Sequence, residues 1–186
     1  GFVWLTAAAA TLVQKLGFFA DPARPLWRRH GFWLIALSAL LQLPRLGSFG
    51  LIDPWETHYG EVAREMLARD DWISLWWAQD GWFYSKPIAN FWAQGLSFSA
   101  LGVEWAPDRM IATVAAGRTP QPEWAARLPV FVLALVGQHV LYLGARRYVG
   151  RWAAFWGSLV LATTPYWYFL TRQSMADMSY VGPLTA

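Results

Sequence analysis

Apolar positions run along this chain in long stretches separated by short basic turns. Residues 1–19 are apolar except for Gln14 and Lys15. Residues 32–43 are strongly apolar, and the run extends to Ile52 if Arg45 reaches outward along its own stem. Residues 128–145 are apolar around Gln138 and His139. Residues 152–170 are apolar and close on Tyr166-Trp167-Tyr168-Phe169, an aromatic belt suited to a membrane interface. A helix crosses the hydrocarbon core with about 20 mostly apolar residues. The last three runs are therefore read as spans over 32–52, 128–145 and 152–171, with the first as a further candidate.

Between residues 53 and 127 the pattern changes. Tyr59, Val62, Ala63, Met66 and Leu67 recur at helical spacing and predict an amphipathic helix over about 54–69. Its start is marked by Asp53 as N-cap, Pro54 at the first helical position and Glu56 three residues after the cap. A second helix is expected over about 87–102. Residues 88–103 are apolar enough to form a further span, but the stretch is short and Asn90, Gln94 and Ser97 share one of its faces, so it is read in preference as lying in the interface plane with its apolar side toward lipid. Gly117 and Pro120 mark residues 115–121 as a flexible insertion.

Composition narrows the class. Charged residues make up 15 % of the 186 positions and hydrophobic residues 56 %, with 14 tryptophans and no cysteine. A soluble domain carries about 25 % charge, so a soluble enzyme is disfavoured, and disorder needs far lower hydrophobicity. The absence of cysteine removes disulfides and thiolate metal sites. The net charge of +3 comes from arginines beside apolar runs rather than on one basic face, so no nucleic-acid partner is expected. Arg24, Arg28 and Arg29 precede the 32–52 run; Arg146, Arg147 and Arg151 separate the last two. By the positive-inside rule both clusters face the cytoplasm. Residues 53–127 are then external, and so is the start of 172–186, which leads into another apolar run. The expected fold is an all-α integral membrane bundle whose external loop carries juxtamembrane helices. Residues 1–31 form a possible span and a basic cytoplasmic loop. The chain is read as a piece of a longer protein.

Candidate chemistry gathers in the external part. Every acid except Asp21 and Asp177 falls between Asp53 and Glu123. Asp53 and Glu56 read either as a capping box or as a functional acid pair. Lys86 precedes Pro87 at the start of a predicted helix, where free backbone N–H groups and a cation would together hold a phosphate. Arg127 lies at the outer end of a predicted span and could pair with an acid or a phosphate. Asp177 stands alone between two apolar runs, with Arg172 as its candidate salt-bridge partner; an ionisable group near membrane depth is a functional candidate by default.

Taken in order, these pieces resemble a known family. Asp53-Pro54-x-Glu56 opens an Ala-Arg-Glu-Met-Leu helix; then follow Tyr84-x-Lys86-Pro87, Glu123-Trp-Ala-Ala-Arg127-Leu-Pro, Gly144-Ala-Arg-Arg, Ala162-Thr-Thr-Pro and Asp177. The set is similar to the N-terminal part of GT-C glycosyltransferases of the protein O-mannosyltransferase and aminoarabinose-lipid A transferase type, from about Phe32 to Ala186. The resemblance implies an enzyme of the plasma (inner) membrane, acting on its external or periplasmic face. It would take a sugar from a polyprenyl-phosphate carrier, with inversion, and pass it to a lipid, glycan or protein acceptor. An acid of the first external loop would be the general base, here Asp53 or Glu56, because Trp55 stands where the family has an adjacent acid. Lys86 would contact the donor phosphate, with His58, Tyr59, Tyr84, Arg127 and Arg172 as further substrate contacts and Asp177 as an acceptor-orienting acid. Ser85 replaces a glutamate the family often carries, which weakens any metal ligand there; no cofactor is fixed, and a divalent metal ion is the one candidate. The rival readings are a transporter or lipid-handling protein, which needs ionisable groups along a pathway through its spans, and a non-catalytic assembly subunit.

Overall fold

A computed structural model describes residues 25–103, 106–117 and 122–185. The candidate span at 1–19 lies outside them. After a single 3-10 turn at Leu26–Arg28 the chain forms α1 (His30–Gln42), α2 (Trp55–Ala68), α3 (Ala89–Leu101), α4 (Pro107–Ala115), α5 (Pro122–Val149), α6 (Arg151–Thr163), α7 (Pro165–Thr171) and α8 (Met178–Thr185). Two short antiparallel strands, β1 (Trp76–Trp77) and β2 (Gly81–Trp82), pair Trp76 with Trp82 and Trp77 with Gly81. The described chain is thus mostly helical.

Helix α5 is the hub. It packs against α1, α3, α6, α7 and α8, and among the described residues it alone is long and apolar enough to cross a membrane. At 28 residues it is about 42 Å long. Three apolar clusters lie along it. Ala125 and Ala126 at its start join the cluster of α2, the hairpin and α3, built on Tyr59, Val62, Met66, Phe83, Phe91 and Phe98. Val130 and Ala134 pack on Trp167, Leu170 and Met178. Near its far end Tyr142 and Leu143 pack on Leu34, Ala154 and Phe155. The hairpin, α2 and α3 therefore form a cap at one end of α5, while Arg146, Arg147 and Arg151 flank its other end together with the start of α1.

Two helices are shorter than the apolar pattern suggests. The run read as a span over 32–52 is helical only to Gln42, because Pro44 follows and Arg45 takes a left-handed φ of 59°. The chain then turns through Leu43–Gly50, with Leu46 N–H on the Leu43 carbonyl and Ser48 N–H on that of Arg45. The 152–171 run breaks at Thr164, held extended at φ −62°, ψ 127° by the Pro165 ring that follows. Helix α4 ends at Ala115, where the stretch read as an insertion begins.

The bundle is sided in an unusual sense. On α1 the buried residues are Leu34, Ser38 and Gln42, whereas Phe32, Trp33, Ile35, Leu40 and Leu41 face outward. Gln42 donates to the Ala162 carbonyl (3.2 Å) and Gln138 to that of Ser158 (2.8 Å). Polar side chains inside and aliphatic ones outside reverse the pattern of a helix in water. They match helices packed in lipid, where polar groups and small residues join neighbours. Small residues do so here: a Cβ on Gly137 would stand 2.7 Å from the Gly182 carbonyl oxygen, so α5 and α8 meet backbone to backbone.

Candidate functional site

The most fully bonded feature of the cap end is an ion pair with no access to solvent. Glu56 is 1 % exposed and Arg127 0 %. Arg127 donates through Nε to Glu56 Oε1 (2.9 Å) and through Nη2 to Oε2 (2.8 Å). Its remaining N–H groups donate to the carbonyls of Leu46, Phe49 and Gly50, each at 2.9 Å. Glu56 also accepts from Ile52 N–H (2.9 Å) and Ser174 N–H (2.6 Å). All five guanidinium donors and the four acceptor positions of the carboxylate are thereby used. The Phe49 ring covers the guanidinium 4.1 Å away. One side-chain pair so ties the start of α2, the start of α5, the 43–50 turn and the segment before α8.

This geometry separates the two candidate bases. Glu56 has no lone pair open to a substrate hydroxyl, and Arg127 has no donor left for a phosphate. Glu56, read as a candidate base, and Arg127, read as pairing with an acid or a phosphate, are here bound to each other. The capping-box expectation is met only in part: Glu56 reaches back to the backbone of Ile52, not Asp53, and Asp53 makes no side-chain cap. Asp53 is exposed and accepts a hydrogen bond from the Thr57 hydroxyl (2.7 Å). It is the candidate base with open lone pairs.

The other candidate residues divide between rim and interior. Lys86 and Tyr84 are exposed between β2 and α3, and Lys86 makes no ion pair among the described residues. Asp177 is exposed at the start of α8. It lies near enough to Tyr59 to help burial push that phenol's pKa up; burial is the larger cause. Tyr59 itself is buried against Phe83 and Phe91. His58 stacks on Trp77 at 3.7 Å with its Nε2 buried and unpaired. Burial lowers its pKa below the usual 6.5, outweighing the opposing pull of the Asp80 carboxylate. Arg172 is not the partner of Asp177: it donates to the carbonyls of Gln42 (2.7 Å), Pro44 (2.8 Å) and Arg45 (3.0 Å), capping the free end of α1.

Three contacts of α3 were not foreseen. Gln94 donates to the Ser174 hydroxyl (2.8 Å), and the Ser179 hydroxyl donates to Asn90 Oδ1 (3.3 Å). Ser97 donates to the Ala125 carbonyl (2.7 Å). The polar face of α3 thus grips the segments on either side of Asp177 and the start of α5, while Trp92 and Leu96 face outward. The spacing of 90, 94 and 97 marked the face; its partners lie 28 residues along the chain for Ser97, 80 for Gln94 and 89 for Asn90. The signal for a metal is weak. Ser85 offers no carboxylate, and among the described residues no three His, Asp or Glu side chains converge.

Comparison with known proteins places these features in a class. Residues 111–182 match the family model for dolichyl-phosphate-mannose-protein mannosyltransferase. The fold is similar to the crystal structure of ArnT from Cupriavidus metallidurans, solved in the apo state and bound to undecaprenyl phosphate. The TM-score is 0.67 at 25 % identity, over 82 % of this chain and 25 % of that one. Fold and motif order agree that the chain is similar to GT-C membrane glycosyltransferases, as its motifs suggested. Within that class the likeness is to aminoarabinose transferases. Undecaprenyl phosphate-alpha-4-amino-4-deoxy-L-arabinose arabinosyl transferase 2 of Sodalis glossinidius is 30 % identical over 138 residues, 72 % of this chain and 22 % of that protein. The corresponding transferase of Pectobacterium carotovorum is 41 % identical over 69 residues, 37 % of this chain and 12 % of that protein. The chain therefore spans a quarter or less of the length of these relatives.

Proposed function

We propose that this chain is the cap-bearing part of a glycosyltransferase that takes a sugar from a polyprenyl-phosphate carrier at a membrane surface. The observation that carries the reading is the likeness, across 82 % of the chain, to a protein solved with undecaprenyl phosphate. In this reading the acceptor hydroxyl gives its proton to the Asp53 carboxylate as its oxygen attacks the anomeric carbon. The bond from that carbon to the carrier phosphate breaks, and the configuration inverts. The phosphate leaves with its charge met by Lys86. Asp177 orients the acceptor from the α8 side. The acceptor is a lipid, glycan or protein, and an aminoarabinose-type sugar follows from the named relatives.

Orientation follows from the two ends of α5. The arginine-rich end is cytoplasmic by the positive-inside rule, so the cap, Asp53, Lys86 and Asp177 lie on the external face of the plasma membrane. The α1, α5 and α6–α7 segments are the crossings. The chain has no native cysteine, so single reporters Asp80→Cys and Arg147→Cys test this directly in intact cells. An impermeant thiol reagent should label position 80 at once and position 147 only after lysis; the reverse overturns the orientation.

The activity is tested in membranes carrying the natural full-length chain, supplied with a polyprenyl-phosphate sugar. Lys86→Ala should raise the donor KM about 10- to 100-fold, the loss of one charge-assisted contact. An unchanged KM removes Lys86 from the phosphate site. No donor cleavage by the unaltered chain, with any acceptor class, favours the assembly-subunit reading.

A further inference from the structure

The cap does not exhaust the binding features of the molecule. At the opposite end of α5 a cavity of about 410 Å³ opens between α1 and α6. Its walls are apolar: Trp27, Trp33 and Leu37 on one side, Trp152, Phe155 and Trp156 on the other. Trp33 and Leu37 stand one turn apart on α1 with Trp27 in the 3-10 turn before it, and Trp152, Phe155 and Trp156 share a face of α6, so the walls form two ridges with a slot between them. The Trp33 indole N–H donates to the Trp27 carbonyl (2.8 Å), fixing one ridge. The His30 ring meets Trp152 edge-on at 4.5 Å and closes the floor between the helices. The tryptophans stay largely uncovered, with Trp27 67 %, Trp152 64 % and Trp156 57 % exposed.

The mouth of the slot is basic. Arg28 and Arg29 line it, Arg151 opens α6 one residue before Trp152, and Arg146 and Arg147 lie in the last turn of α5, at the same end of the bundle. Neither α1 nor α6 carries an acid in its first turn. Two positive helix ends therefore meet a group of arginines, an arrangement each helix would avoid by itself. An apolar slot of this kind, opening on concentrated positive charge at an interface, fits one class of ligand: an amphiphile with an anionic head and a hydrocarbon tail.

We infer that this slot holds an anionic phospholipid of the arginine-side leaflet, its phosphate on Arg28 and Arg29 and one acyl chain between the tryptophan ridges. The site sits at the end of the bundle away from Asp53 and Lys86. It depends on the chain lying in a membrane and not on the transferase reading, so each can fail without the other.

The test is photolabelling of the natural full-length chain in phosphatidylcholine nanodiscs. The probes are phosphatidylglycerol and phosphatidylcholine, each with a diazirine near the middle of one acyl chain. Adducts should map to Trp33, Leu37, Trp152 or Trp156, and phosphatidylglycerol should label them at least fivefold more than phosphatidylcholine. Arg28→Gln with Arg29→Gln should bring the two headgroups to near-equal labelling. Leu37→Trp, which fills the slot from an exposed position and leaves the arginines in place, should suppress labelling by both probes. Equal labelling by the two headgroups in the unaltered chain overturns the inference. So does labelling confined to other helices, or adducts showing that residues 1–24 of the same chain fill the slot.

Discussion

Two acids three residues apart, Asp53 and Glu56, meet opposite fates at the start of α2. Glu56 points inward, loses all exposure and spends every lone pair on Arg127 and two backbone N–H groups. Asp53 points outward and holds only the Thr57 hydroxyl. Their difference shows how a helix start divides labour. The inward acid fixes the frame from which the outward acid can act. A buried, bidentate pair is costly to break because the survivor is left charged in a place without water. An exposed carboxylate costs little to change and is free to move a proton.

The sharpest way to break the comparison is Asp53→Asn. With Asp53 as the proposed base, its loss should lower kcat about 10²- to 10⁴-fold, and the thermal midpoint should stay where it is; a near-normal rate would give the base role to another acid. Arg127→Met should do the opposite. It strands Glu56 and costs about 3–5 kcal/mol, read as a large fall in the thermal midpoint. Adding Glu56→Gln to it should recover part of that loss, and strict additivity of the two changes would deny the coupling. Gly137→Ala tests a region outside the pair. The added methyl meets the Gly182 carbonyl, so a cost of about 1–3 kcal/mol is expected, with α8 loosened in hydrogen exchange.

The smallest effect is in pH. His58 has a folded pKa below its usual 6.5, so the unfolded chain takes up more protons as the medium acidifies. Its contribution is complete above pH 6.5 and is lost as pH falls toward the folded pKa. His58→Phe keeps a ring on Trp77 and should flatten the stability profile in that window. An unchanged slope would assign the acid sensitivity to other groups.

Some of this was legible along the chain. The position of α2 followed from Pro54 and the spacing of Tyr59, Val62 and Met66, which are local signals. The end of α1 was not, because Leu43, Leu46 and Leu51 prolong the apolar run past the turn that Pro44 and Arg45 impose. Pro165 stood in plain view inside an apolar stretch, and continuity of hydrophobicity masked the break it makes. The partner of Glu56 lies 71 residues away, and no periodicity reports a contact at that distance. Arg127 was visible as a cation seeking an acid or a phosphate, but only packing chose the acid. The roles of Lys86 and Asp177 still rest on motif order and exposure.

The bond from Ser174 N–H to Glu56 has a mechanical consequence. It clamps the strand of chain leading to Asp177 onto the first turn of α2, so Asp53 and Asp177 stand on the same fixed jaw of a caliper. Gln94 and Asn90 brace that jaw from α3. Lys86 rides on the exposed stretch between the hairpin and α3, outside the clamp. On the proposed assignment the clamp sets the spacing of the two acids, and the Lys86 stretch is the part of the site that it does not hold.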